Sequence, residues 1–431
     1  LFRVADFRTT HAARVRYVGK DGDRPLLSPA IDLSLGAVHE QPAAPQLLGP
    51  PQPPEAAAAG QEASPGSGEV RTAAAAAPLA LDHAAERGPG GCHDGQARSS
   101  LLRGGGDALG GVPAQRWVLH EEVNVKALSA GQLKVIQHGG YVDAEYFDSR
   151  FFGVSPAEVA WMDPHQRLLR EVGYQSLEAC GWSRQTRLGS GVGPFLRLSK
   201  ADWSRYQWAR RGGYATYSVY ATTCDSNTVA SGRLSFILGL HGPCVSVDTA
   251  CSSALVASHA ALRAVQQHEC SRALAAGVCL CLSPTPAFHL AAVGLTSLRG
   301  RCHSFDGRAD GYARAEACCA AVVAPAGEGA ALAVACGGAV RQDGRSASLT
   351  APNGLAQQAL LRAAAAEAAA PPDAIEAHGT GTQLGDPIEA GGLAAALPAG
   401  SVGVSRAKAG WRHAEPAAGA RGLVKLLLSL R

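Results

Sequence analysis

From Ala273 to Leu282 the chain carries no charged residue, and the run then ends at Ser283-Pro284. It is far shorter than the roughly 20 residues a membrane-spanning helix needs. It suits a strand covered on both faces, as in a parallel sheet packed between helices. The neighbouring segments have the same character. Cys244 to Val247 reads as a short strand, and Ser252 to His268 as a helix with Leu255, Leu262 and Val265 on or near one face. Asp163-Pro164 opens another helix, in which Leu169, Val172, Leu177 and Cys180 recur at helical spacing before Gly181 stops it. Ala331–Val340, an alanine-rich helix from Ala356 to Ala370, and Ala374–Ala377 repeat the rhythm of strand, helix and strand. Alternation of this kind predicts an α/β fold.

Residues 1–95 read differently. Pro42 to Pro54 is proline-rich, Ala56–Ala59 and Ala73–Ala77 are alanine runs, and Ser64 to Gly68 is a Gly/Ser/Pro stretch. Little apolar surface is available there to offset the entropy of ordering. The expectation is a low-complexity linker or disordered extension, with a short strand at Arg14–Val18. A chain that begins at Leu1 rather than Met reads as a fragment or a processed product. The formal charge of +3, from 39 basic and 36 acidic residues, gives no electrostatic case for nucleic acid or an anionic membrane. No N-terminal signal pattern is present. The twelve cysteines form no disulfide or zinc framework, and reduced core thiols suggest a cytoplasmic protein.

Three segments carry chemistry. In Val245–Leu255 the predicted strand turns into the predicted helix at Cys251. A helix N-terminus favours thiolate over thiol, and the Cys251 backbone N–H is placed to bond an oxyanion on an attached acyl group. A thiol in a core is the commoner case, and this setting alone leaves both readings open. His378 follows a predicted strand and precedes Gly379-Thr380-Gly381-Thr382, a tightly turning loop of the kind that carries catalytic groups. Such a histidine can also serve its local backbone alone. Lys408 and His413 stand five residues apart ahead of a helix predicted over Ala417–Leu430; by themselves they read as a solvated edge. His138, His165 and His289 carry no functional expectation.

Together these segments resemble the β-ketoacyl synthases, most closely the ketosynthase domains of type I polyketide synthases. The strongest match is Gly242-Pro243 through Asp248-Thr249-Ala250-Cys251-Ser252-Ser253-Ala254-Leu255. Val112–Trp117, Phe151–Pro156, Met162–Arg167, Ser304–Asp306, Ala309–Tyr312, Gln342–Ser346, Leu349–Asn353 and Glu376–Glu389 follow in the family's order. The resemblance implies a thiolase-like layered αβαβα fold, with residues 96–330 as its N-terminal half and 331–431 as its C-terminal half. It implies a homodimer whose nucleophile is Cys251, with His378 and His413 as the two active-site histidines and Lys408 as the active-site lysine. The reaction implied is decarboxylative condensation of a Cys-held acyl group with a malonyl-type thioester, in polyketide or fatty acid synthesis. The partner is an acyl carrier protein bringing its own phosphopantetheine arm, with other polyketide synthase domains as possible neighbours. No metal and no directly bound cofactor are expected.

The sequence departs from the pattern in places. The chain stops at Arg431, ahead of the family's Gly/Phe-rich closing segment, so the C-terminal half is expected to be incomplete. The family's opening strand is not recognisable before Ser100, beyond a trace at Gly88–Gly91. Gly410-Trp411-Arg412 stands where the family has Asn, an aliphatic residue and Gly, which predicts backbone strain at Arg412 and a cation disfavouring protonated His413. Ala315-Glu316-Ala317 replaces a Gly-Glu-Gly pattern, and Ala347-Ser348 replaces Asn-Gly. These departures motivate the alternative expectation of an inactive ketosynthase-like scaffold or incomplete gene product.

Overall fold

The computed structural model describes residues 79–429, apart from 119–120, 122, 200–201, 211–217, 328–330, 369–371 and 398–401. The strand expected at Arg14–Val18 lies outside the described residues. The strands are β1 (Leu79–Arg87), β2 (Gly110–Gly111), β3 (His138–Gly139), β4 (Val192–Leu198) and β5 (Val245–Ser246), then β6 (Arg272–Cys279), β7 (Ala317–Pro325), β8 (Ala333–Ala335), β9 (Ala374–Glu376) and β10 (Gly403–Ser405). Six form one sheet in the order β5-β4-β6-β7-β1-β8. β4 is parallel to β5 and β6, whereas β7 runs antiparallel to both β6 and β1. β9 and β10 make a separate parallel pair, and β2 and β3 a short antiparallel one.

The apolar run behaves as expected of a strand covered on both faces: β6 is buried from Ala273 to Cys279. Successive side chains point to opposite faces, so two cores form. Leu274, Ala276 and Val278 join Leu196, Val322, Leu169, Val172 and Leu234 on one face, under the Pro164–Ala179 and Asn227–Leu238 helices. Ala273 and Ala275 join Phe195, Val323, Ala257, Ala261 and Leu427 on the other, under the Ser253–Gln266 and Ala418–Ser429 helices. Each fully buried leucine or valine contributes about 1.5–3 kcal/mol relative to exposure. Gly277 lets the Ser253–Gln266 helix approach the sheet, since an added Cβ there would lie 2.8 Å from the Ala254 Cβ.

Beyond that helix layer lies the β9–β10 pair. Lys425 of the Ala418–Ser429 helix reaches Glu376 at 2.6 Å. On the other side Ile375 packs with Leu361 and Leu393 of the Gly354–Ala368 and Gly385–Ala396 helices. The order is therefore helix, sheet, helix, strand pair, helix, as the resemblance implied.

Two expectations are corrected. Composition reads 1–95 as linker throughout, yet Leu79–Arg87 is an interior strand of the main sheet, paired with β7 and β8. Its charges hide it: Asp82 is held by Arg272 at 2.6 Å and Glu86 by Arg98, partners supplied only by the fold. The strand expected over Ala331–Val340 shortens to β8, and it extends the first sheet at β1 rather than the second layer.

Candidate active site

Cys251 lies in a 3-10 turn, Ala250–Ser252, that runs directly into the Ser253–Gln266 helix. Ala250 takes a positive φ of 54°, an uncommon conformation for a residue with a Cβ. The turn's own hydroxyls hold it. Ser253 Oγ donates to the Ala250 carbonyl at 2.6 Å and accepts the Thr249 N–H at 2.8 Å. Ser252 Oγ donates to the Thr249 carbonyl at 2.7 Å.

His378 leaves the end of β9 into a loop clamped from below by two carboxylates. Glu389 accepts the backbone N–H of His378 at 2.7 Å and of Gly379 at 2.8 Å, and Asp386 accepts that of Gly381 at 3.0 Å. Gly381 has φ 80°, and a Cβ there would lie 2.8 Å from the His303 nitrogen, so the tight turn needs a glycine. Lys408 Nζ donates to the His378 carbonyl at 2.6 Å.

His413 is wedged beside the 313–315 segment: its N–H donates to the Ala313 carbonyl, and its carbonyl accepts the Ala315 N–H, each at 2.9 Å. The Glu415 N–H donates to His413 Nδ1 at 3.2 Å, so the neutral ring carries its proton on Nε2 and acts there as a donor. Burial lowers the proton affinity of His413 well below the ordinary histidine value, and the positive charge of Lys408, His378 and Arg314 adds to the effect. Tyr312 packs edge-on against this ring at 4.7 Å.

The structure brings the expected groups together. Ligating atoms of Cys251, His378 and His413 all lie within 4.8 Å of one another, and the two imidazoles meet edge to face at 5.4 Å. All three residues line one cavity of about 920 Å³. Among the described residues they are also the one group of three or more such side chains close enough to hold a metal ion; the Nε2 proton of His413 would have to leave first. Lys408 sits behind His378, against a separate cavity of about 60 Å³, and its observed contact orients the histidine loop.

Arg412 departs from expectation in one respect and meets it in another. Its backbone has φ 67° and ψ −176°, a region populated almost only by glycine, so the strain is real. Its guanidinium, however, pairs with Asp107 and is not among the groups that depress His413. Sequence reasoning missed the supporting residues. Ser252 and Ser253 are visible only as flanks of Cys251, and Asp386 and Glu389 only as acidic residues opening a helix. Their spacing gives no sign that they fold back onto backbone amides.

Comparison with known proteins fits this geometry. The β-ketoacyl synthase N-terminal domain profile matches residues 85–328, and the C-terminal domain profile matches residues 332–431. Over 369 residues the chain is 37% identical to a phenolphthiocerol/phthiocerol polyketide synthase component of Mycobacterium tuberculosis, covering 82% of this chain and 20% of that protein. It is 39% identical over 369 residues to a spectinabilin polyketide synthase system protein of Streptomyces orinoci, covering 82% of this chain and 10% of that one. Among solved structures, the oxazolomycin ketosynthase domain of Streptomyces albus JA3453 superposes with a TM-score of 0.74 at 31% identity, over 82% of this chain and 63% of that one. The module 6 ketosynthase of the Bacillus subtilis 168 bacillaene synthase gives 0.72 at 27% identity, over 82% and 61%. The chain thus spans a tenth to a fifth of these curated relatives, and about six-tenths of the solved ones. It belongs to the β-ketoacyl synthase family and has the thiolase-like fold of the ketosynthase domains.

Proposed function

We propose that this chain catalyses decarboxylative Claisen condensation in polyketide assembly. The observation that carries the proposal is the convergence of one thiol and two imidazoles, from three distant stretches of sequence, on a single cavity. Cys251 attacks an acyl thioester, forms a new C–S bond and releases the donor thiol. The partial positive charge at the start of the Ser253–Gln266 helix favours an anion at that sulfur. A malonyl-type thioester then enters, and His378 and His413 donate hydrogen bonds to its carbonyl. Carbon dioxide leaves, and the electron pair of the broken C–C bond becomes an enolate that the two donors stabilise. The enolate carbon attacks the acyl-Cys251 carbonyl; a C–C bond forms, the C–S bond breaks and the thiolate returns.

Depressed proton affinity suits His413 to this task, because a neutral imidazole donates without surrendering a proton. An acyl carrier protein with a phosphopantetheine arm supplies both thioesters, and the working form is a homodimer. No metal or bound redox cofactor enters the scheme, since every bond change is accounted for by these groups and the carrier. The test is transfer of a labelled acyl group from a thioester to wild-type protein and to Cys251→Ala, followed by malonyl-carrier turnover. Label on wild type alone, with release of carbon dioxide and a β-ketoacyl product, is expected. Equal labelling of the variant would remove the assigned nucleophile.

A further inference from the structure

The cavity that holds the site has an uneven wall. Leu290, Val293 and Leu295 give it an apolar side, while Arg197, Ser199, Asp202 and Arg314 give it a polar one. Most of those polar groups are already engaged. Arg197 pairs with Asp248 at 2.6 Å through Nη2, with its Nε and Nη1 buried and without a partner among the described residues, Ser199 Oγ meets His165 Nε2 at 2.6 Å, and Arg314 Nε bonds Glu415 at 2.6 Å. Asp202 differs. It is only 6% exposed, lines the same cavity as Cys251, and its carboxyl makes no hydrogen bond among the described residues. Its oxygens are not sealed in the protein but open onto the cavity, so a donor on a ligand held there can complete the carboxyl's hydrogen bonding.

Resting on the condensing function proposed above, we infer that Asp202 selects for acyl chains bearing a hydroxyl group, which donates its hydrogen to the Asp202 carboxyl while the chain is held on Cys251. Leu290, Val293 and Leu295 cover the hydrocarbon part of the same chain. A saturated chain leaves the carboxyl unmatched, and sites built around a substrate hydroxyl discriminate strongly against analogues that lack it. Burial also raises the Asp202 proton affinity, to a value of about 6, against the opposing charges of Arg314 and His165 and with Glu415 and Asp163 adding to it. The carboxyl is therefore an acceptor at neutral pH.

The experiment measures second-order acylation of Cys251 by intact mass, using N-acetylcysteamine thioesters in matched pairs. The pairs are butyryl against 3-hydroxybutyryl and hexanoyl against 5-hydroxyhexanoyl. Wild type should favour at least one hydroxylated member by about tenfold or more. Asp202→Leu should erase that preference while leaving the saturated partner as fast or faster; Asp202→Asn, which keeps an acceptor oxygen, should retain part of it. Ratios near one in wild type, or equal losses for both members in both variants, would overturn the selectivity while the condensing function stood. Failure of all four thioesters to label Cys251 would instead overturn the underlying reaction, and this assignment with it.

Discussion

The turn that carries Cys251 and the segment that carries His413 solve the same problem in opposite ways. At Cys251 the backbone bends sharply at Ala250, and three neighbouring hydroxyl and amide contacts from Thr249, Ser252 and Ser253 satisfy the bend locally. At His413 little is local. The residue is bridged to Ala313 and Ala315 about a hundred positions earlier, and Arg412 is held in a strained conformation by its distant partner Asp107. A self-contained turn can be read from a short stretch of sequence and should tolerate change elsewhere. A borrowed one depends on the whole molecule.

The first way to test that contrast is to remove the group the local turn exists to present. Cys251→Ala should lower condensation by at least ~10³-fold, with an unchanged melting curve, as read by carrier turnover and calorimetry. Ser253→Ala should come next. It strands the Thr249 N–H and the Ala250 carbonyl, so denaturant unfolding should show a loss of about 1–3 kcal/mol. A loss no larger than a surface substitution gives would show that the turn is not self-supporting.

The borrowed segment is sharpened by a paired measurement. Arg412→Gly and Arg412→Ala both remove the guanidinium, but only glycine suits φ 67°. The glycine variant should be more stable than the alanine variant by about 1 kcal/mol, and equal stabilities would mean that the backbone relaxes. The smallest effect is on pH dependence. His413 is buried with its proton affinity held well below 6.5, so the unfolded chain takes up that proton first. Stability from the neutral ring is fully present above pH 6.5 and is lost as pH falls below it. His413→Gln should flatten that acid limb in unfolding titrations between pH 7 and pH 5.

The contrast also explains what could be read in advance. The Ser253–Gln266 helix and the buried β6 run are legible because short-range patterning determines them, whereas Cys251 and His378 stand at predicted element ends whose patterning leaves their roles open until the resemblance assigns them. Strand β1 is not, because Asp82 and Glu86 look solvated until Arg272 and Arg98 arrive from other elements. The clamp on the His378 loop is hidden for the same reason. Glu389 acts on the backbone of His378 eleven residues upstream, and nothing in the helix that bears it marks its carboxylate for that use. Lys408 is identified by resemblance, but its contact with the His378 carbonyl emerges only in the folded chain.

The β9–β10 pair has a consequence of its own. This parallel pair delivers His378 and Lys408 just past the ends of its two strands, whereas Cys251 opens a helix of the neighbouring layer and His413 is bridged to the segment that leads into β7. Thiol alkylation and carbon–carbon bond formation therefore make demands on different slabs of the molecule. Damage confined to the small slab should leave a protein that still captures iodoacetamide at Cys251 yet makes no product, a silent failure that a thiol assay alone would score as intact.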